Sequence, residues 1–356
     1  MITERLLNQI EQGRSGKNHG YTTGSEKLDL YTDGNIKSNF VVLFSNSGSG
    51  KSSLALYSFV YKPLMESLEN DNFKTVFFSL EMTAEQIMAK LLSIYLYETF
   101  HVQLSIRELL SRKKNYILSD QDFELVKSSI EWMKLVETKL IIYDKSLNAS
   151  KMYSILMSIL EKLGTFEECE TRKIYTPKNP DLIFNVLIDH ISLLRPDKGR
   201  TLKQEIDIAT AYLITLRNMC KISPIIVQQA NREQGGMERR KQGMINMTLN
   251  DTRDSGDPVQ AAEVVISIFN PHRERLNSYR GYDISKLQSN FRSITILKSR
   301  YGEADLEIGF NFFGNVGIWK ELPLPSEIYD YNKYTQLDNI EEKDNNNIIQ
   351  KSKFIL

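Results

Sequence analysis

Residues 45–53 read Ser-Asn-Ser-Gly-Ser-Gly-Lys-Ser-Ser, and these types at this spacing suit a loop that wraps phosphate. Glycine tolerates the tight backbone turns that let several N–H groups converge on one anion. Lys51 would then reach the β- and γ-phosphates, and the Ser52 hydroxyl would take a magnesium ion. The binding set is Ser47, Gly48, Ser49, Gly50, Lys51, Ser52 and Ser53. The usual pattern begins with Gly, where this chain has Ser45; that position ends a strand and needs only to be small. Gly-Lys-Ser alone is weak evidence. Its context carries the weight: the apolar run Phe40–Phe44 precedes it, and "SSLALYSFVY", with helical spacing, follows.

Three further residues stand where such chemistry needs them. Asp189 ends the apolar run Val186-Leu187-Ile188 and could hold the same magnesium ion. Glu81 ends "VFFSLEM" and could polarise an attacking water. Gln229 ends "PIIVQQ" and could sense the γ-phosphate. Taken singly, each has a bland alternative: a strand-ending Asp, a surface acid, a solvent-facing Gln. Taken together, four strand ends carry useful residues, and ligands of open α/β sheets bind at the carboxyl ends of strands.

The elements that must position them alternate. Apolar strand candidates lie at 39–44, 74–80, 139–144, 182–189, 224–229, 262–269, 292–299 and 306–312, with helical stretches at 51–70, 83–99, 121–137, 149–163 and 203–219. Alternation predicts βαβ units, hence an α/β fold with a mainly parallel central sheet flanked by helices. The closely spaced last strands predict antiparallel strands at one edge. Residues 1–20 read as a short amphipathic helix, with Leu6, Leu7 and Ile10 on one face, and a polar linker. Such a stripe packs on its own domain or docks on a neighbouring subunit. Residues 165–181 read as a polar insertion, and 326–356 as a polar, disordered tail after a domain at 21–325.

Bulk composition narrows the class. Lys+Arg and Asp+Glu are both 45 in 356 residues, which argues against a chain that coats nucleic acid indiscriminately but leaves room for a local basic loop. Cys169 and Cys220 form no CxxC pair, so neither a zinc site nor a disulfide framework is expected. No signal peptide or membrane span is legible, so a cytoplasmic protein, of a bacterial cell or a phage-infected host, is expected.

The ordered segments resemble the C-terminal ATPase domain of hexameric replicative DNA helicases, the DnaB family, whose fold is a RecA-like P-loop NTPase. "YTTGSEKLDLYTDG" (21–34) resembles the lead-in to the phosphate loop, and "SNSGSGKSS" (45–53) a loop in which that family often lacks the first Gly. "FFSLEM" (77–82) is similar to the catalytic-glutamate motif. "LIDHISLLRPDKGRTLKQEI" (187–206) resembles the magnesium-aspartate strand with its DNA-facing loop, and "VQQANRE" (227–233) the glutamine sensor. "NDTRDSGDPVQAAEVVISIF" (250–269) and "LKSRYGEADLEIGFNFFG" (297–314) resemble the last motifs. The resemblance implies an ATP- and magnesium-dependent, ring-forming helicase, hexameric, translocating 5′ to 3′ on single-stranded DNA. It implies catalytic roles for Lys51, Glu81 and Gln229, and it implies Lys298 and Arg300 as fingers reaching the nucleotide of the adjacent subunit. Primase or a helicase loader are the partners it suggests. Only residues 1–20 precede the match, so the family's N-terminal helical domain is expected to be missing, as in reduced forms encoded by phages and plasmids.

Two basic loops are candidates for the DNA path. One is 195–204, with Arg195, Lys198, Arg200 and Lys203; the other is 232–243, with Arg232, Arg239, Arg240 and Lys241. Contacts to phosphate carry no sequence preference, which suits a motor. Neither loop has aromatic residues, so base stacking is not expected. Two other readings share the fold: a recombination ATPase of the RecA/RadA type, and a DNA-dependent ATPase regulator or loading factor that does not unwind. The "LKSR" and "DTRDSG" segments favour the helicase over the first, and strand separation would decide against the second.

Overall fold

The computed structural model describes residues 2–16, 18–169, 172–230, 247–252 and 255–337. The second candidate DNA loop, with Arg232, Arg239, Arg240 and Lys241, therefore lies outside the described residues.

Thirteen strands are described: β1 Val41–Ser45, β2 Phe73–Ser79, β3 Leu140–Tyr143, β4 Gly164–Cys169, β5 Arg172–Pro177, β6 Ile183–Asp189, β7 Ser223–Gln229, β8 Val264–Phe269, β9 Ser278–Tyr279, β10 Tyr282–Asp283, β11 Phe291–Ser299, β12 Leu306–Phe313 and β13 Ile318–Glu321. Nine build one sheet in the order β13-β12-β11-β8-β1-β7-β6-β2-β3. From β8 to β3 every pairing is parallel, whereas β11, β12 and β13 add antiparallel to the β8 edge. Both parts of the fold expectation hold.

The parallel strands are apolar throughout because both faces are covered. Along β1, Val41 and Leu43 enter one core and Val42 and Phe44 the other. The first core is closed by the helical run Lys51–Glu66 and by helices Ala84–Phe100 and Ile130–Lys139; the second by helices Ala149–Leu163 and Leu202–Cys220. Within the run Lys51–Glu66 a π-helical turn, Tyr57–Tyr61, frees backbone carbonyls, and the buried Asn185 of β6 donates its side-chain amide to one of them, Phe59 O, at 3.1 Å.

Four expectations need correction. The helix expected over 121–137 is two, Asp120–Ser128 and Ile130–Lys139. The polar insertion is a β-hairpin, β4–β5, whose Phe166 and Tyr175 pack against the second core. β13 was not expected at all. The polar tail does not begin at 326: Ile328 and Leu337 are buried, and the Tyr334 carbonyl accepts from Asn311 of β12, so the sparse apolar residues there suffice to hold the chain down. Among the described residues no helix is long and apolar enough to cross a membrane.

Trp319 of β13 is buried, stacks on Phe312 at 4.4 Å between ring centroids, and backs the phosphate loop. Trp319→Ala is expected to remove about 3–5 kcal/mol of stability in urea unfolding, as for a large buried aromatic, whereas Trp319→Phe should retain most of it.

Candidate nucleotide site

β1 delivers Ser45 to the carboxyl edge of the sheet, where its carbonyl accepts from Ala230 N at 2.9 Å. Ser45 is fully buried, so a small residue suffices at this first position. The loop then turns through Gly48 (φ 75°) and Gly50 (φ 103°), conformations that side chains disfavour. A Cβ on Gly50 would also come within 2.9 Å of Trp319, so this glycine is required twice over. Helix begins at Lys51, and Ser52 and Ser53 sit in its first turn.

The sheet register gathers the other residues beside this loop. Ser45 is level with Gln229, and Asp189 is level with both Val227 and Ser79. Two residues beyond Ser79, Glu81 is exposed at the rim; the Ser79 hydroxyl donates to Met82 O at 2.6 Å and closes the turn that carries it. Lys51, Ser52, Glu81, Asp189 and Gln229 therefore share one edge. Gln228, one residue earlier, is buried and donates to Ser255 O at 2.8 Å, leaving Gln229 as the half-buried member on the loop side.

Burial dominates the electrostatics. Asp189 is 2% exposed, and loss of hydration pushes its carboxyl up to about 6, against the Ser52 hydroxyl that donates to it and the Lys51 charge beside it. Its Oδ1 has no hydrogen-bond partner. A buried carboxylate oxygen left unpaired next to a serine hydroxyl suits a hard cation that keeps most of its waters and takes few protein ligands. The donors present therefore fit magnesium. Lys51 is driven below its ordinary value by burial, with Asp189 and Glu81 opposing.

Several functional side chains escape a reading of motifs. Lys90, on helix Ala84–Phe100, is driven down by burial and held charged by Asp189 and Glu81, which puts a second lysine at the same carboxylates. Arg273 donates to Ser47 O. Arg292, 6% exposed, donates Nε to Ser49 O at 2.8 Å and Nη1 to Ser289 O and Phe291 O. Both arginines hold the loop by its carbonyls. The only sequence signal for Lys90 was its helical phase, three residues from the buried Ile87; Arg292 looked like any basic residue opening a strand.

Lys298 and Arg300 do not join this edge. β11 runs antiparallel to β8, so Ser299 is level with Val264 and through it with Val41, four residues back from Ser45. At about 3.3 Å per residue that is ~13 Å along the strands from the loop. A register shift between Ile296 and Lys298 re-aims the end of the strand. Lys298 donates to Val259 O and Gln260 O, and Arg300 pairs with Glu263 at 3.1 Å. In the first basic loop Arg195, Lys198, Arg200 and Lys203 are all exposed, and Arg200 pairs with Asp197 at 3.1 Å and Glu205 at 3.6 Å.

Comparison with known proteins agrees with this geometry. Residues 20–317 match the family model described as the DnaB-like helicase C terminal domain. The replicative DNA helicase DnaB of Helicobacter pylori (strain J99) is 26% identical over 297 residues, 83% of this chain and 51% of that protein. The replicative DNA helicase DnaB of Buchnera aphidicola is 27% identical over 271 residues, 75% of this chain and 49% of that protein. The chain thus spans about half the length of the curated relatives it matches. Among solved structures, the ATPase domain of a phage DnaB-like protein superposes with a TM-score of 0.69 at 18% identity, covering 91% of this chain and 99% of that one. A DnaB-like replicative helicase, described with its interactions with primase, gives 0.66 at 18% identity, covering 91% and 67%.

A test of the site follows from Asp189. Its carboxyl titrates at about 6 in the folded chain against 3.8 unfolded, so the unfolded chain loses its proton first as pH rises. The burden on folding is absent below 3.8, grows through that window and is complete above about 6. Asp189→Asn is expected to stabilise the nucleotide-free protein at pH 7.5 by up to about 3 kcal/mol in urea unfolding, a gain that shrinks as pH falls below 6, while magnesium-dependent nucleotide binding is lost.

Proposed function

The chain belongs to the DnaB-like helicase C-terminal domain family, and from that premise we propose that it is the ATP-driven motor of a ring-forming replicative helicase that moves on single-stranded DNA. The observation that carries this reading is the division of the chemistry between two ends of one sheet. The phosphate loop, Glu81, Asp189 and Gln229 stand at the carboxyl edge, and the only residues matching the family's fingers, Lys298 and Arg300, stand level with the start of β1. A chain so built has a nucleotide site and a finger that cannot serve that same site. Repetition around a closed ring supplies each site with its neighbour's finger.

In this reading Lys51 and the loop N–H groups bind the triphosphate of ATP, and Gly48 and Gly50 let the backbone approach it. A magnesium ion, with the Ser52 hydroxyl and Asp189 Oδ1 as its fitting protein donors, would neutralise phosphate charge. Glu81 orients the attacking water and accepts its proton, and Lys90 holds the two carboxylates in register. Gln229 reads whether the γ-phosphate is present and passes that state to the segment after β7. Arg300 and Lys298, from the next chain, stabilise charge developing on the transferred group. Arg200 and Lys203, in the loop after the Asp189 strand, contact the DNA backbone, as do Arg232, Arg239, Arg240 and Lys241.

Assembly is further supported by the N-terminal helix Ile2–Arg14. Leu6, Leu7 and Ile10 are each more than half exposed, so the stripe is not spent on its own domain and suits a second copy. The motor unit is read as residues 21–337, preceded by a short helix and linker. A hexamer, 5′ to 3′ polarity, and primase or a loader as partner classes come with the family.

The deciding measurement is ATPase rate with and without single-stranded DNA, alongside mass in the presence of ATP. The wild type is expected to assemble and to be stimulated by DNA. Arg300→Ala should still bind ATP but hydrolyse it roughly a thousandfold more slowly. A wild type that stays monomeric, or an Arg300→Ala protein with normal turnover, would remove the ring reading. Assembly and DNA-stimulated turnover without separation of a forked duplex would favour the regulator. Leu7→Glu with Ile10→Glu should leave ATP binding intact and abolish the large species in ATP.

A further inference from the structure

We propose that Glu263 is the positioning residue for Arg300, and that it shares this duty with Arg217 so that Arg300 can leave and return. The inference rests on the reading of Arg300 as the finger and adds the group that aims it.

Glu263 stands immediately before β8 and is only 4% exposed. Four groups converge on it. Phe40 N donates to Oε2 at 2.9 Å. Arg217 Nη1 donates to both carboxylate oxygens, at 2.6 and 2.7 Å. Arg300 Nη1 lies 3.1 Å from Oε1. In addition, Arg300 N donates to the Glu263 carbonyl at 2.9 Å, so backbone and side chain of the finger are fixed at one residue.

The charges explain why this anchor is not a trap. A buried carboxylate with one partner holds it tightly, because breaking the pair strands a charge at ~3–5 kcal/mol. Glu263 faces two guanidinium groups. When a γ-phosphate of the adjacent chain competes for Arg300, Arg217 and Phe40 N still satisfy the carboxylate. Arg300 is also the exposed partner, with 47% of its side chain accessible against 13% for Arg217, so solvent already screens its half of the pair. The finger is thus preset in direction yet weakly held.

The anchor also lies where two moving parts meet. Phe40 leads into β1, whose far end carries the phosphate loop of the same chain. Arg217 is in the last turn of helix Leu202–Cys220, whose first turn follows the basic loop with Arg200. Glu263 therefore ties the finger of one site to the strand and helix that respond to nucleotide and DNA in its own chain.

The test is a double-mutant cycle read in kcat and KM for ATP with single-stranded DNA, on full-length assembled protein. Glu263→Gln is expected to lower kcat roughly ten- to hundredfold, the scale of a misplaced group, with KM little changed. Glu263→Asp should recover most of the rate. In the Arg300→Ala background, Glu263→Gln should add nothing further, because it acts through the same side chain. Glu263→Gln protein that melts earlier but turns over at the wild-type kcat overturns the proposal. So does a double mutant slower than Arg300→Ala by the full Glu263→Gln factor. If Arg300→Ala itself turns over normally, the finger reading falls first, and that variant alone reports it. Should Glu263→Gln not fold, Glu263→Asp carries the same cycle, its smaller loss being expected to vanish in the Arg300→Ala background.

Discussion

A phosphate loop can present its N–H groups to an anion only if its carbonyls are held elsewhere, and in this protein two arginines hold them. Arg273 takes Ser47 O and Arg292 takes Ser49 O. Arg292 is the stricter case. It is buried, the partners described for it are backbone carbonyls, and the Phe312 ring lies 5.3 Å from its guanidinium carbon. Burial, with the Arg273 charge adding to it, brings its guanidinium down to about 10. The antiparallel extension of the sheet is therefore part of the nucleotide site: β11 supplies Arg292, and β12 and β13 supply the Phe312 and Trp319 wall against which Gly50 turns.

The same extension carries the finger candidates away. Because β11 is antiparallel, its first residues meet the loop and its last meet the opposite end of β8. One strand thus braces its own nucleotide and presents Lys298 and Arg300 elsewhere. A parallel strand in that place would have put both functions at one edge. Strand direction, more than any single side chain, makes the site of one chain depend on another.

Much of this was legible in the chain. The eight long apolar runs became strands because parallel strands covered on both faces must be apolar along their whole length, and β1, β6 and β7 show nothing else. The loop, Asp189, Glu81 and Gln229 were readable because each ends such a run. Less was legible where tertiary contact replaces pattern. β13 is four residues long and begins after a turn, too short for periodicity to declare. Ile328 and Leu337 are lone apolar residues in polar surroundings, and only the cores they cap give them meaning. Arg292, Lys90 and Glu263 have ordinary surface residue types; register and helical phase alone bring them inside.

The balance of charge at the nucleotide edge links these observations. Among the described residues, Lys51, Lys90, Arg273 and Arg292 face Asp189 and Glu81 there, and Lys51, Lys90 and Arg292 are all shifted toward neutrality by burial. By its own residues the edge therefore holds more cation than it can satisfy, beside a carboxylate that burial also disfavours. A triphosphate with its metal corrects both at once: the phosphates offset the cations, and the metal pairs Asp189 Oδ1. Because these groups sit in the sheet's own strand ends and bracing strand, occupancy stabilises the fold that forms the site. Stability, nucleotide binding and the placement of β11 are then one coupled equilibrium. The finger at the far end of β11 is joined to it through the hydrogen bonds of a single strand and the Glu263 carboxylate beside it.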